Sequence, residues 1–187
     1  MSPVSKIKRN ILLGFVLLLT LSMSLNHILL KAEDKRYDPP GKLIEIDRHK
    51  MHIYRTGMGH PTIVMTCGSG TPSAYTDFSI IQQKITGITR TCIYERPGYG
   101  WSEPASIPRD TEQIVSDLHR LLEKAGEKPP YIIVAHSMGA MEALLYTYKY
   151  PEEVAGIVLI SGTSPYKHMY YSEFNSPGWR VCFKNTK

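Results

Sequence analysis

Ser137 stands in the run Ala135-His136-Ser137-Met138-Gly139, directly after the apolar residues Tyr131, Ile132, Ile133 and Val134. That order predicts a strand that stops at the serine and turns at once into a helix. Ala135 and Gly139, two residues to either side, are small enough for the chain to fold that sharply. A serine held in such a turn is forced into a strained backbone conformation with its hydroxyl proud of the sheet, a nucleophile elbow. Ala135 stands where the usual G-x-S-x-G pattern has its first glycine, and alanine still fits the turn. The chemistry open to such a serine is attack on a carbonyl carbon, with a covalent acyl intermediate. The competing reading is that Ser137 only caps the helix over residues 140–150, since serine is a favoured N-cap.

The elements that would position this serine alternate in type. Residues 43–47 and 51–55 alternate apolar with polar around a turn at 48–50, which reads as a hairpin at a sheet margin. Residues 62–66 form a continuous apolar strand, followed by the loop Cys67-Gly68-Ser69-Gly70 and a helix-like stretch over 75–85. The next strand, 91–94, closes in the Pro/Gly-rich loop 96–102. Residues 110–125 read as a helix: Asp110 can cap it, Gln113 sits three residues on, and Gly126 ends it. Ile114, Leu118, Leu121, Leu122 and Ala125 share one face of that helix at helical spacing. The strand at 131–134, the elbow, a helix closed at Pro151 and a last strand at 154–161 complete the series. Strands apolar on both faces, alternating with helices, predict a mainly parallel sheet covered on both sides and led by an antiparallel hairpin. Ligand chemistry in such sheets collects at the carboxyl ends of the strands, where Ser137 and the 67–70 loop both fall.

The 187 residues suit one domain, and their net charge of +5 is a property of the two ends. Residues 1–36 carry six Lys/Arg and two acids, and residues 178–187 carry three Lys/Arg and no acid. The body between them is mildly acidic, so nucleic acid is not expected as a partner. Residues 11–30 are almost uninterruptedly apolar and follow Lys6, Lys8 and Arg9, which would stay on the cytoplasmic side of a membrane-spanning helix. A cleaved signal peptide competes with an uncleaved anchor. The absence of a clean A-x-A exit favours the anchor. The expected location is the cell membrane, single-pass with an extracytoplasmic domain, or secretion if the segment is cleaved. Cys67, Cys92 and Cys182 are odd in number and have no metal-ligand spacing. Cys67 and Cys92 read as small buried hydrophobes, and neither a metal nor a cofactor is expected.

Four segments together resemble the N-terminal half of an α/β-hydrolase-fold serine hydrolase of the esterase/aminopeptidase-like branch. They are the hairpin, Cys67 to Gly70, the run Glu95-Arg96-Pro97-Gly98-Tyr99-Gly100-Trp101-Ser102, and Ala135 to Gly139. The resemblance covers residues 42–165. It implies Ser137 as the nucleophile and an oxyanion hole built from the Met138 and Ser69 backbone N–H groups. Ala135 and Gly139 would be the structural residues of the elbow. The implied substrate is a small carboxylic ester or amide; a cofactor-free haloperoxidase-like or prolyl aminopeptidase activity on the same serine is a further possibility. Relatives often have histidine where Cys67 stands. Serine at the elbow argues against the epoxide hydrolases and haloalkane dehalogenases, which use aspartate there.

The resemblance also requires a histidine base and an acid, in chain order after the serine. His168 is the only histidine after the elbow and Glu173 the only acid beyond Glu153, and the residues around His168 do not resemble a histidine loop, so neither is expected to serve. The expected organisation is therefore a signal anchor or transmembrane segment with the start of a linker over 1–36, a partial α/β-hydrolase domain over 37–165, cut short after its sixth strand, and an irregular tail over 166–187. Two functions follow: a serine hydrolase, inactive in this chain if the histidine and acid are lacking, or a noncatalytic remnant or binding protein of the same fold. Residues 154–161 would then be an unprotected apolar edge strand, and the product aggregation-prone.

Overall fold

A computed structural model describes residues 3–107, 109–163 and 180–183, in two units, Met1–Asp38 and Pro39–Lys187. The first unit is one helix, α1 (Pro3–Arg36). Its stretch Lys6–Glu33, 28 residues long, contains an 18-residue window with a mean hydropathy of 2.0. At about 1.5 Å per residue the whole stretch runs to about 42 Å, enough to cross a hydrocarbon layer of about 30 Å. Leu12, Phe15, Leu17 and Leu18 are all exposed within this unit.

The second unit is a seven-stranded sheet in the order β1-β2-β4-β3-β5-β6-β7. The strands are β1 (Lys42–Ile46), β2 (His49–Thr56), β3 (Thr62–Thr66), β4 (Thr91–Tyr94), β5 (Tyr131–His136), β6 (Val154–Ile160) and β7 (Arg180–Phe183). The first hairpin and the β2–β4 pair are antiparallel. β4, β3, β5 and β6 run parallel. The hairpin turn holds Asp47 and Arg48 rather than residues 48–50, because Ile46 pairs with His49. Asp47 takes the positive φ, 55°, that so tight a turn needs.

The helices α2 (Ala74–Ile85), α3 (Thr111–Lys124) and α4 (Gly139–Lys149) lie between the parallel strands in sequence. Period-two alternation along each strand feeds two apolar clusters. Val64, Cys92, Tyr94, Ile133 and Ala135 meet Val115, Leu118, Leu121 and Leu122 of α3 and Ala143 and Tyr146 of α4. Met65, Cys67 and Ile93 meet Ala74 and Phe78 of α2. Burying each large aliphatic side chain contributes roughly 1.5–3 kcal/mol, which is why these strands are apolar on both faces. The α3 caps are local: Asp110 accepts from the Gln113 N–H at 2.8 Å, and Gly126 takes φ 74° just beyond the C-cap. At the amino ends of the central strands, buried Glu127 receives Arg90 at 2.6 and 2.7 Å and Arg55 at 3.1 Å.

The bare edge expected at β6 is not what the structure has. β7 pairs antiparallel with it, Ile157 opposite Cys182 and Val158 opposite Val181. Four tail residues thus supply ladder partners that no local periodicity signalled. His168 and Glu173 lie outside the described residues.

Candidate active site

Sheet order brings the two chemical loops together. β3 and β5 are neighbours, with Thr66 paired to Ala135, so the residues that follow, Cys67-Gly68 and His136-Ser137, leave the sheet side by side. The approach is close enough to require glycine at position 68. A Cβ there would fall 2.9 Å from the Ser137 Cβ and 3.1 Å from His136 Nδ1. Gly139 is required in the same way, since a Cβ on it would meet the Cys67 carbonyl oxygen at 2.8 Å.

Ser137 has φ 50°, the left-handed region that costs a residue with a side chain roughly 1–2 kcal/mol. Its N–H donates to the Ile160 carbonyl at 3.0 Å. Its own carbonyl accepts from Ala140 at 3.1 Å and Thr163 at 2.9 Å. The strained residue is thus fixed by the end of β6 as well as by α4. It does not cap the helix: the N-cap of α4 is Met138, without a side-chain cap bond. Ala135 is fully buried, whereas Ser137 and Met138 are half-buried and Ser69 is exposed. Among the described residues, neither the Met138 nor the Ser69 N–H has an acceptor. Backbone N–H groups left without acceptors can stabilise an oxygen that gains negative charge.

Beneath the loops lies a buried polar network. Arg96 Nε donates to Glu142 Oε1 at 2.5 Å, and both side chains are 2% exposed. Arg96 Nη1 donates to the Gly68 carbonyl at 3.1 Å and weakly to Cys67 Sγ at 3.7 Å. Its Nη2 donates to Thr66 Oγ1 at 3.3 Å and to the Cys67 carbonyl. Glu142 Oε2 accepts from Tyr94 at 2.6 Å and Thr66 at 2.7 Å. Burial disfavours the Arg96 cation, but Tyr94, Glu142 and Cys67 outweigh it and hold its pKa above the ordinary value. Burial pushes the Cys67 and Tyr94 pKa values up. Cys67 and Cys92 are free, buried thiols, placed as small hydrophobes.

Glu95, at the end of β4, is a second buried acid. It accepts from the Trp101 N–H at 2.7 Å and from Ser73, and it meets His52 Nδ1 at 3.1 Å. Burial raises its pKa, yet these hydrogen bonds prevail and hold it below the ordinary value. His52 is fully buried, with Nε2 against the Pro40 carbonyl. His119 meets Glu153 at 3.0 Å, and His49 lies 3.9 Å from Asp117. These histidines are thus engaged away from Ser137. Among the described residues, no group of three or more His, Cys, Asp or Glu could hold a metal ion. Glu142 escaped sequence reading altogether, since a glutamate inside a helix ordinarily signals a wet face.

The family model for the alpha/beta hydrolase fold matches residues 72–180. A Bacillus subtilis (strain 168) protein, YbdG, is 30% identical over 161 residues, covering 86% of this chain and 50% of that protein. The chain therefore spans about half the length of that relative. The crystal structure of Cfl2 from Burkholderia cenocepacia superposes with a TM-score of 0.61 at 25% identity, over 66% of this chain and 42% of that one. An epoxide hydrolase from Bacillus megaterium also gives 0.61, at 22% identity, over 72% of this chain and 47% of that one. The likeness to the latter is one of fold.

Proposed function

The chain belongs to the α/β-hydrolase fold family, and from that membership we propose that Ser137 is the nucleophile of an acyl-transfer site acting on small carboxylic esters or amides. In the first step a base takes the Ser137 Oγ proton while the oxygen bonds to the substrate carbonyl carbon. The carbonyl π pair moves to oxygen, and the Met138 and Ser69 N–H groups receive that charge. Collapse expels the alcohol or amine, which takes up the proton, and leaves an acyl-enzyme that water then hydrolyses. α1 anchors the protein in a membrane, with the hydrolase unit on the extracytoplasmic side.

The observation that supports this reading is Ser137 at φ 50° between β5 and α4, with Gly68 against its Cβ. A fluorophosphonate probe tests it. The expected result is labelling of the protein that disappears in Ser137→Ala. Labelling that persists in the variant, or none in the parent, overturns it. The second reading, a noncatalytic binding protein of this fold, is favoured by one observation: His49, His52 and His119 have carboxylate partners away from Ser137. It expects a folded parent that the probe leaves unlabelled.

A further inference from the structure

We propose that Arg96 is a positioning residue for the oxyanion-binding loop: its guanidinium, held by Glu142, sets the direction of the Ser69 N–H and its distance from the Met138 N–H. The inference rests on the reading of Ser137 as nucleophile and of these two N–H groups as its oxyanion donors, and it assigns the side chain that aims them.

The argument begins with one peptide plane. The cis peptide bonds of the described residues are at His60-Pro61 and Pro129-Pro130, so the peptide joining Gly68 to Ser69 is trans. In a trans peptide the C=O and N–H point in opposite directions. The Gly68 carbonyl faces the buried guanidinium at 3.1 Å, so the Ser69 N–H faces away from it. The preceding carbonyl, that of Cys67, is taken by Nη2 of the same guanidinium. Two successive peptides are thereby oriented by one planar group, with a rigidity that a solvated Gly-Ser-Gly loop lacks on its own.

The second donor is tied to the same ion pair from the other side. Glu142 sits in the first turn of α4, the helix that begins directly after Met138. Arg96 Nε on Glu142 Oε1 therefore links the loop to the helix. Thr66 Oγ1 and Tyr94 Oη, both on Glu142 Oε2, fix the carboxylate to β3 and β4. Such a pair is a poor means of gaining stability, because desolvating two charges offsets most of their attraction. Its geometry suits a different task, holding two backbone donors at a set separation. Preorganised donors are effective because they need no rearrangement as charge develops.

The test uses the full chain. Arg96→Lys keeps a cation beside Glu142 but replaces a fork of donors with one ammonium, which cannot reach Glu142, Gly68 and Cys67 together. Removing a single charge from a buried pair can prevent folding. The double variant Arg96→Met with Glu142→Gln, which removes both charges, therefore serves as the second test. Two quantities are read: the fluorophosphonate labelling rate, and amide hydrogen exchange in peptides covering residues 66–70. The expected result for whichever variant folds is a labelling rate at least about tenfold slower, with exchange over 66–70 accelerated and exchange in α3 unchanged. A folded variant that labels at the parental rate overturns the proposal and leaves the acyl-transfer reading intact. If the parent itself does not label, the acyl-transfer reading fails and exchange alone decides. Faster exchange confined to 66–70 then supports Arg96 as the residue that orients the loop, and unchanged exchange overturns it.

Discussion

Replacing Gly68 with alanine should injure the site more than the fold. The added Cβ would stand 2.9 Å from the Ser137 Cβ, 3.1 Å from His136 Nδ1 and 3.3 Å from His136 Cε1. Non-bonded carbons rest at about 3.5–4.0 Å, so the two loops have to separate by about 0.6–1.1 Å. β3 and β5 are internal strands locked in parallel register from Thr62 with Tyr131 to Thr66 with Ala135. The movement therefore falls on the loops rather than on the sheet. Overpacking of this kind costs about 1–3 kcal/mol, which for a chain of this size lowers Tm by about 2–12 °C. A displacement of about 1 Å at the reacting group slows its chemistry by about 100-fold. The assay is a thermal melt paired with the time course of fluorophosphonate labelling. Gly87→Ala is the control, because a Cβ there meets nothing within 4 Å. If Gly68→Ala melts and labels as Gly87→Ala does, the two loops are not in contact and the reasoning fails.

Three further outcomes are expected. Ser137→Gly should melt higher than Ser137→Ala, by the equivalent of about 1 kcal/mol, because only glycine relieves the left-handed φ of 50°; equal melting temperatures, or the reverse order, would mean that the elbow is unstrained. The pKa of Glu127 is raised by burial but lowered further by Arg90 and Arg55, so it ends below its ordinary 4.5. A depressed carboxylate stabilises the fold above about pH 4.5 and loses that contribution as pH falls through its folded value. Tm should therefore hold between pH 6 and 5 and drop below 4.5, and Glu127→Gln should lower Tm at neutral pH while flattening the acid limb. Finally, alkaline carbonate washing should leave the full-length chain in the membrane pellet, anchored by α1; recovery of a soluble product lacking α1 would establish a cleaved signal instead.

Most of the frame was legible because it depends on local spacing. The strand at 62–66 and the helix over 110–125 follow from apolar period and from Asp110 and Gly126, signals contained within a few residues of where they act. The hairpin turn was placed at 48–50 and lies at Asp47 and Arg48, since the choice between closing at Ile46 with His49 or nearby depends on a register that sequence alternation does not fix. β7 was missed for a related reason: a four-residue strand gains its stability from the ladder of β6. Arg96 stood in a Pro/Gly-rich loop with no period to show which way its side chain turns, and Glu142 in a helix turn that reads as wet. Each is buried only because the other is there to neutralise it.

The sequence alone determined that a serine would end an apolar strand ahead of a helix, since small residues on both sides of Ser137 permit that turn and few others. It equally determined the apolar span of α1, which needs no partner to be recognised. Only the tertiary structure decided what stands beside the serine. Setting β3 between β4 and β5 brings Gly68 against Ser137 and places the Arg96–Glu142 pair under both. Residues far apart in the chain meet through strand order, and strand order is settled by burying both faces of the sheet at once, a condition that no single segment carries.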